Sequence, residues 1–214
     1  SKRKFKMKSI LYWHPNIYNF LVRLMYKTSF NERYTTINNL ITDNSSVVDV
    51  CCGDSYLYSY LKNKNINYLG LDFNPTFINI SKRKGIKARL FNIYEDPIPH
   101  ADYIIIQTSL YQFIPNHDQI LKKLYQAADK YLIITETMKS YGGSKNKFFS
   151  KIGKYLNNPG DGIKENRFSL ITFKKAMEPF QEKIENEFFI KGNIDYVVVI
   201  KKKITVFIKL LFIY

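Results

Sequence analysis

The chain has 214 residues, of which 45% are hydrophobic and 24% charged, and these values exclude a disordered protein and fit one globular domain with a full core. Its formal net charge is +15, from 33 Lys and Arg against 18 Asp and Glu, which favours an anionic partner such as nucleic acid, an acidic membrane surface or a phosphorylated or carboxylated metabolite. The two cysteines, Cys51 and Cys52, are adjacent, which excludes a disulfide framework, offers no metal-ligand spacing and favours a cytoplasmic protein.

The N-terminal segment has a helical pattern. Residues 1–10 form a basic arm, and aromatic and apolar residues then recur at helical spacing from Leu11 to Ile41. We therefore predict an N-terminal helical unit over residues 1–44.

The next segment predicts a βαβ unit that binds a nucleotide. Val47–Val50 is a short apolar run typical of a buried strand, and Cys51–Ser55 is a turn of small and polar residues. Tyr56–Lys64 has helical spacing, and Tyr68–Leu71 is a second apolar strand that ends at Asp72. In such a unit the turn admits a ligand to the backbone, the helix start offers free N–H groups, and the terminal acid can bind two ribose hydroxyls.

The residues of the turn distinguish between two classes of ligand that such a unit can bind. A dinucleotide fold needs three glycines around a pyrophosphate, whereas this turn has only Gly53 and is preceded by Asp49. An acid beside a pyrophosphate would repel it, but an acid suits a cationic ligand. S-adenosylmethionine is such a ligand, since it carries a sulfonium and an ammonium.

Two motifs resemble those of the class I S-adenosylmethionine-dependent methyltransferases. Asp49-Val50-Cys51-Cys52-Gly53-Asp54-Ser55 is similar to their first motif, an acid followed by a Gly-x-Gly-x-Gly loop, and Leu71-Asp72-Phe73-Asn74-Pro75 is similar to their second. Cys51 and Ser55 replace the first and third glycines, and a Cβ at Cys51 restricts the positive φ that glycine would allow. The resemblance covers roughly residues 45–138, which we expect to be the cofactor-binding core.

The resemblance implies an α/β fold, with a doubly wound, mostly parallel, seven-stranded sheet, helices on both faces and an antiparallel C-terminal hairpin. Residues 1–44 would then cover the cofactor. The two motifs imply cofactor contacts from Asp49, Cys51, Gly53, Asp54, Ser55, Asp72 and Phe73. By position, Asn92 and Ile93 after the third strand, Lys87–Asn92, would contact the adenine.

The remaining elements continue the alternation of strands and helices. Asn74 and Pro75 predict a helix start, and Gly85 predicts its end. The fourth strand, Ala101–Ile106, leads into Gln107 and Thr108, which we expect at the cofactor because the carboxyl ends of parallel strands line the ligand crevice. A helix is predicted from Pro115, and a fifth strand over Tyr131–Thr135.

The C-terminal third contains an insertion and two final strands. Residues 139–170 are rich in Gly, Asn and Lys and form a substrate-side insertion by resemblance to the family. Residues 171–214 hold a last helix over Ile171–Phe180 and a hairpin of Ile184–Lys191 with Tyr196–Ile200. The apolar segments after Tyr196 are divided by three lysines and are each shorter than the ~20 residues of a membrane-spanning helix, so we expect no transmembrane segment.

The candidate catalytic residues follow from the chemistry of a sulfonium. Its methyl group is already activated, so the enzyme mainly positions an acceptor, and a base is needed only if the acceptor arrives protonated. Residues with suitable side chains near the expected cleft are Glu136, His117, Tyr111 and His14. The sequence lacks an Asn-Pro-Pro-Tyr or Asp-Pro-Pro-Tyr motif, and both cysteines lie in the cofactor loop, which disfavours methylation of nucleic-acid bases at exocyclic amines or at pyrimidine carbon 5.

Three functions fit these features. The leading hypothesis is methyl transfer to oxygen or nitrogen of a small anionic metabolite, such as a sugar derivative or a biosynthetic intermediate. An RNA methyltransferase is the alternative that the net charge allows, although no RNA-binding motif is recognisable. The third is a protein that binds S-adenosylmethionine without catalysis, which the replacements at Cys51 and Ser55 suggest.

Overall fold

A computed structural model describes residues 31–138, 167–190 and 195–202. The predictions for the basic arm, for residues 11–30 of the helical unit with His14, for the connection between the two strands of the C-terminal hairpin, and for most of the insertion lie outside the described residues. Within the described part of the chain, no helix is long and apolar enough to cross a membrane.

The described elements alternate between strands and helices along the chain. The strands are β1 (Ser46–Val50), β2 (Asn67–Asp72), β3 (Ala88–Leu90), β4 (Ala101–Gln107), β5 (Ala128–Thr137), β6 (Ile184–Phe189) and β7 (Asp195–Lys201). The α-helices are α1 (residues 31–40), α2 (Tyr58–Leu61), α3 (Pro75–Arg83), α4 (His117–Ala127) and α5 (Leu170–Met177). Three 3₁₀ segments follow α2, β4 and α5, at Lys62–Lys64, Leu110–Phe113 and Glu178–Lys183.

The seven strands form one sheet in the order β3-β2-β1-β4-β5-β7-β6. Strands β1 to β5 are parallel, whereas β7 is antiparallel to both β5 and β6. The predicted mostly parallel sheet with an antiparallel C-terminal hairpin is confirmed. The order of the strands reverses between β1 and β4, because β2 and β3 lie on one side of β1 whereas β4 and β5 lie on the other. The crevice for a ligand therefore lies at the carboxyl ends of β1 and β4.

The two faces of the sheet form two hydrophobic cores, because successive side chains of a strand point to opposite faces. Val48, Ile104 and Ile134 belong to the core that includes α4 and α5. Val47 and Ile105 belong to the core that includes α1 and α2. We call these the α4 face and the α1 face.

Several predicted boundaries were wrong, for local reasons. The predicted helix Tyr56–Lys64 is α-helical only over Tyr58–Leu61, because Ser55 has a positive φ and the chain passes into a 3₁₀ segment after Leu61. The predicted last helix, Ile171–Phe180, ends at Met177 because Pro179 cannot continue an α-helix without a clash.

Two strands and one more helix also differ from prediction. β3 is three residues long rather than the predicted Lys87–Asn92, because the Asn92 side chain accepts from the Tyr94 N–H and forms a turn. β5 begins at Ala128 rather than Tyr131, and α4 begins at His117 rather than Pro115. The start of α3 is confirmed, because Asn74 Oδ1 accepts from the Thr76 N–H and Pro75 follows it.

Candidate functional site

The loop between β1 and α2 has a left-handed residue at every second position. Cys51, Gly53 and Ser55 have φ of 60°, 57° and 58°. The positive φ at every second residue is the backbone conformation that three glycines would favour, although Cys51 and Ser55 each carry a Cβ. A non-glycine residue in this region costs roughly 1–2 kcal/mol, so other contacts must hold the loop.

Hydrogen bonds to β2 and α3 hold this loop. The Gly53 N–H donates to Asp72 Oδ2 over 2.8 Å, and the Cys52 N–H donates to the Leu71 carbonyl over 3.1 Å. The Ser55 hydroxyl is fully buried and lies 2.9 Å from the Ser81 hydroxyl of α3. Ser55 thus fixes the loop to its neighbour, and only its backbone can face a ligand.

Asp72 ends β2 and organises two backbone segments. Its Oδ2 accepts from the Gly53 N–H, and its Oδ1 accepts from the Asn74 N–H over 2.8 Å. Burial raises the pKa of Asp72 to about 6, against the lowering effect of the backbone N–H groups of Asn74, Gly53 and Phe73. A carboxylate can accept about four hydrogen bonds, so Asp72 keeps acceptor capacity for a ribose beside these donors.

Asp49 is a buried acid on the α1 face. The Tyr68 hydroxyl donates to its Oδ2 over 2.8 Å, and Gln107 Nε2 lies 3.5 Å from its Oδ1. Burial raises the pKa of Asp49 to about 7, against the lowering effect of these two donors. A buried carboxylate of this kind gains most from a cation, which restores the charge stabilisation lost with water.

Tyr68 was not predicted as part of the site. It reaches Asp49 across Gly70, which pairs with Asp49 in the parallel ladder. A Cβ at Gly70 would lie 3.4 Å from the Tyr68 ring and 2.7 Å from the Ser55 hydroxyl, so the glycine allows both neighbours to approach. A Tyr two positions before a Gly, on the strand beside the acid, is the signal that could have identified it.

Gln107 and Thr108 follow at the end of β4. Gln107 Oε1 is buried and finds no hydrogen-bond partner among the described residues. Thr108 has a φ of 44°, and its N–H donates to the Thr135 carbonyl over 2.7 Å. A buried acceptor without a donor beside a buried acid forms a site for a ligand that carries N–H donors.

The other predicted cofactor residues are less directly exposed to the crevice. Asp54 pairs with Lys84 of α3 over 2.8 Å, and Asn92 Oδ1 already accepts from the backbone of the following turn. Ile93 is 6% exposed and packs in the core of the α4 face. Phe73, by contrast, is 40% exposed and follows Asp72 directly in the chain.

Glu136 lies near the end of β5 on the α4 face. Its Oε1 accepts from the N–H groups of Leu110 over 2.6 Å and Tyr111 over 3.3 Å, which holds the 3₁₀ segment after β4. Burial raises the pKa of Glu136 to about 7, against the lowering effect of Arg167 and of these N–H groups. The structure therefore gives Glu136 a positioning contact as well as a pKa suited to proton transfer.

The other candidate catalytic residues differ in setting. Tyr111 is buried, and its ring lies 4.1 Å from the guanidinium carbon of Arg167. His117 packs edge-on against Phe168 with ring centroids 5.2 Å apart, and its Nδ1 is buried without a partner among the described residues. His14 lies outside the described residues.

A buried charge cluster at the carboxyl end of β5, next to Glu136, also went unpredicted. Arg33 Nε of α1 donates to Asp195 Oδ2 over 2.7 Å, and the Thr137 hydroxyl donates to Asp195 Oδ1 over 2.7 Å. Arg33 and Asp195 are 6% and 0% exposed. The cluster ties α1 to the paired ends of β5 and β7, above the α1 face of the site.

The strand order, the antiparallel β7 and the loop after β1 define the fold of the class I S-adenosylmethionine-dependent methyltransferases. A family model described as "Methionine biosynthesis protein MetW" matches residues 31–145, more than half of the chain, and the chain belongs to this family. A comparison with curated protein sequences finds no match.

Solved structures of methyltransferases are similar in fold. A TehB-like S-adenosylmethionine-dependent methyltransferase from Corynebacterium glutamicum is 15% identical, with a TM-score of 0.58 over 89% of this chain and 100% of that one. A methyltransferase from Thermotoga maritima is 14% identical, with a TM-score of 0.63 over 91% and 98% of the two chains. The magnesium protoporphyrin IX methyltransferase of Synechocystis, solved with bound S-adenosylhomocysteine, is 12% identical, with a TM-score of 0.64 over 85% and 87%.

The left-handed conformation of Cys51 gives a testable prediction. Replacing Cys51 with Gly relieves roughly 1–2 kcal/mol of native-state strain but adds ~0.4–1 kcal/mol of chain entropy to the unfolded state. We therefore expect Cys51→Gly to leave the free energy of unfolding unchanged or to raise it by ~1 kcal/mol, and to leave S-adenosylmethionine affinity equal or higher. Urea denaturation and calorimetry measure both quantities. A large loss of affinity would instead mean that the loop depends on the cysteine side chain.

Proposed function

We propose that the protein is an S-adenosylmethionine-dependent methyltransferase that acts on oxygen or nitrogen of a small anionic metabolite. The observation that carries this proposal is the pair Asp49 and Gln107 beside the loop of left-handed residues. Asp49 is a buried acid and Gln107 Oε1 a buried acceptor without a partner among the described residues, and both suit a ligand that bears an ammonium. Asp72 would add a carboxylate for the ribose hydroxyls.

The residues fit S-adenosylmethionine in type and placement. The cofactor, when bound, supplies a methyl group already activated on a sulfonium. Asp72 would accept from the ribose hydroxyls, Asp49 and Gln107 would bind the ammonium, and the partly exposed side chain of Phe73 would pack on the adenine. Asn92 and Ile93 would contact the adenine through the backbone of the turn after β3, since the Asn92 side chain already accepts from Tyr94 and Ile93 packs in the core.

The chemistry left to the protein is positioning and, for a protonated acceptor, removal of one proton. We assign the removal of this proton to Glu136, because burial raises the pKa of its carboxyl group to about 7. Glu136 also lies at the carboxyl ends of the strands, where an acceptor would meet the methyl group. Tyr111 and His117 lie on the same face and would line the acceptor site. We propose that residues 1–214 form one domain, in which residues 139–170 lie on the substrate side.

A labelling experiment separates the small-molecule function from its alternatives. The full chain with methyl-labelled S-adenosylmethionine is incubated with a deproteinised small-molecule extract and, separately, with total RNA at ~150 mM salt, where exposed charges are screened beyond ~8 Å. We expect label in the extract and none in RNA. RNA binding should be weak, without sequence preference, and should fall ~10³-fold or more between low and moderate salt, because each phosphate contact releases counterions.

The other outcomes identify the competing functions. Label in RNA at this salt concentration would overturn the small-molecule assignment in favour of an RNA methyltransferase. Cofactor binding without transfer to either pool would favour a protein that binds S-adenosylmethionine without catalysis. Asp72→Ala serves as the control, since it should lose transfer together with cofactor binding.

A further inference from the structure

Arg167 lies on the α4 face of the site, beside the residues proposed to meet the acceptor. Its guanidinium carbon is 4.1 Å from the centroid of the Tyr111 ring. It is also close enough to Glu136 for its charge to lower the pKa of that carboxyl group, although burial has the larger, opposite effect. The guanidinium thus stacks on an aromatic ring near the carboxyl ends of β4 and β5.

The position of Arg167 is fixed by its neighbour in the chain. Phe168 is 4% exposed and packs against Phe173 of α5 with ring centroids 5.4 Å apart, and edge-on against His117 of α4 at 5.2 Å. Because Phe168 is anchored in the core, the backbone of Arg167 is held at the rim of the site. The stack on Tyr111 then sets the direction of the side chain.

Glu136, the carboxyl group on which Arg167 acts, lies near the cofactor loop. Burial raises the pKa of the Cys51 thiol, and the carboxylates of Asp72, Asp49 and Glu136 raise it further. Cys51 therefore lies within electrostatic reach of both the cofactor acids and Glu136. A molecule bound between Arg167 and the loop would have its reacting atom next to the cofactor.

The contact with Tyr111 uses only the face of the Arg167 guanidinium. A guanidinium carries five N–H donors in its plane, and stacking on a ring uses the face and leaves this edge available. Among the described residues, no carboxylate lies within ion-pair distance of Arg167. A planar guanidinium held in this way matches the geometry of a carboxylate or a phosphate, which it binds through two parallel hydrogen bonds.

We propose that Arg167, stacked on Tyr111, binds the anionic group of the methyl acceptor and so selects acceptors that carry a carboxylate or a phosphate. The inference rests on the proposed function for the identity of the ligand as an acceptor. It gives the excess positive charge a specific role at one residue, instead of a general attraction for anions.

The test is a titration of two simple anions, followed by NMR. Inorganic phosphate and, separately, succinate are added to the full chain, with and without S-adenosylhomocysteine. We expect one of the two anions to bind, and Arg167→Met to weaken its binding roughly tenfold to a hundredfold, as for the loss of a charge-assisted hydrogen-bonding partner. Arg167→Lys, which keeps the charge but not the planar fork, should lie between Arg167→Met and the unchanged chain. The anion that responds identifies the group as phosphate or carboxylate.

The control variant is Arg83→Met. Arg83 is an exposed arginine in the last turn of α3, away from the crevice, and its loss removes the same charge from the molecule. We expect Arg83→Met to bind both anions as the unchanged chain does, and Arg167→Met to keep its affinity for S-adenosylhomocysteine and its thermal unfolding midpoint. Equal losses in the two variants, or no binding of either anion, would overturn the proposal.

The proposal and the proposed function fail in different ways. A chain that does not bind S-adenosylhomocysteine loses the methyltransferase assignment, whereas the anion titration without that ligand still reports on Arg167. Conversely, if methyl label enters only the cationic or neutral fraction of a small-molecule extract separated by ion exchange, the methyltransferase assignment stands and the role of Arg167 is overturned.

Discussion

Asp72→Ala should weaken S-adenosylmethionine binding by roughly 1.5–3 kcal/mol, the range for loss of a charged hydrogen-bonding partner. The substitution removes the proposed acceptor for the ribose hydroxyls. It also removes the acceptor that holds the Gly53 N–H at the centre of the loop and the Asn74 N–H before α3. Since both losses act on the same ligand, we expect the upper half of this range. Isothermal calorimetry with the full chain measures the change.

Asp54→Ala is the matched control for Asp72→Ala. Asp54 lies in the same loop and is also an acid, but its carboxylate pairs with Lys84 on α3. We expect its loss to change affinity much less, because an ion pair with a partly exposed lysine contributes ~0–1 kcal/mol. Unchanged affinity in Asp72→Ala would remove Asp72 from the ribose role, and preference for a nicotinamide dinucleotide would contradict the choice of cofactor.

The sheet could be predicted from sequence because its signals are local. Most of the parallel strands are short, largely apolar runs such as Val47–Val50 or Ala101–Ile106, bounded by polar or small residues. The N-cap at Asn74 is also local, since an acceptor two residues before its donor defines a turn. Boundaries such as the start of β5 at Ala128 were missed because pairing with β4, not local sequence, extends the strand.

The conformation of the cofactor loop could not be predicted in the same way. Sequence indicated the place of the loop, but Cys51 and Ser55 are residues that normally avoid positive φ. The structure keeps the left-handed backbone because Asp72, Ser81 and the Leu71 carbonyl hold the loop from outside. These contacts come from other elements, so nothing within the motif indicates them.

The buried polar network of the site is also non-local. Arg33 and Asp195 are 162 positions apart, and neither stands in a motif. Glu136 was predicted from its place at a strand end, but its bond to the Leu110 N–H depends on how the segment after β4 turns. Only the assembled sheet brings these groups together. The sequence could therefore identify candidate site residues, but not the residues to which they are hydrogen-bonded.

The buried carboxyl groups make stability and cofactor binding respond to pH in opposite directions. Burial raises the pKa of Asp49 to about 7, of Asp72 to about 6 and of Glu136 to about 7, all above the values of the unfolded chain. Between about pH 4 and about pH 7 the folded protein without ligand therefore holds more protons than the unfolded one. We expect its free energy of unfolding to fall as pH rises through this window and to level off above it.

Affinity for S-adenosylmethionine should rise over the same window, because the proposed contacts need ionised carboxylates. Below about pH 7, binding of a cation must first remove the proton from Asp49, and this costs about 1.4 kcal/mol, or tenfold in affinity, for each pH unit. The ammonium of the ligand stays charged here, since an α-amino group titrates near ~7.7–8.0. Since Asp49 is half ionised at about pH 7, we expect affinity at about pH 5 to be ~50-fold below that at about pH 7.

Calorimetry across this window, in buffers of different ionisation enthalpy, measures both affinity and the protons released on binding. Asp49→Asn is isosteric and has no proton to lose, so it should bind more weakly at about pH 7 and show a flatter profile below it. Asp54→Asn is the control and should keep the slope of the unchanged chain, since the Asp54 carboxylate already pairs with Lys84 of α3. A profile that stays steep in Asp49→Asn would mean that Asp72, with its raised pKa, takes up the proton instead. A flat profile in the unchanged chain would show that the cofactor's charge does not meet Asp49.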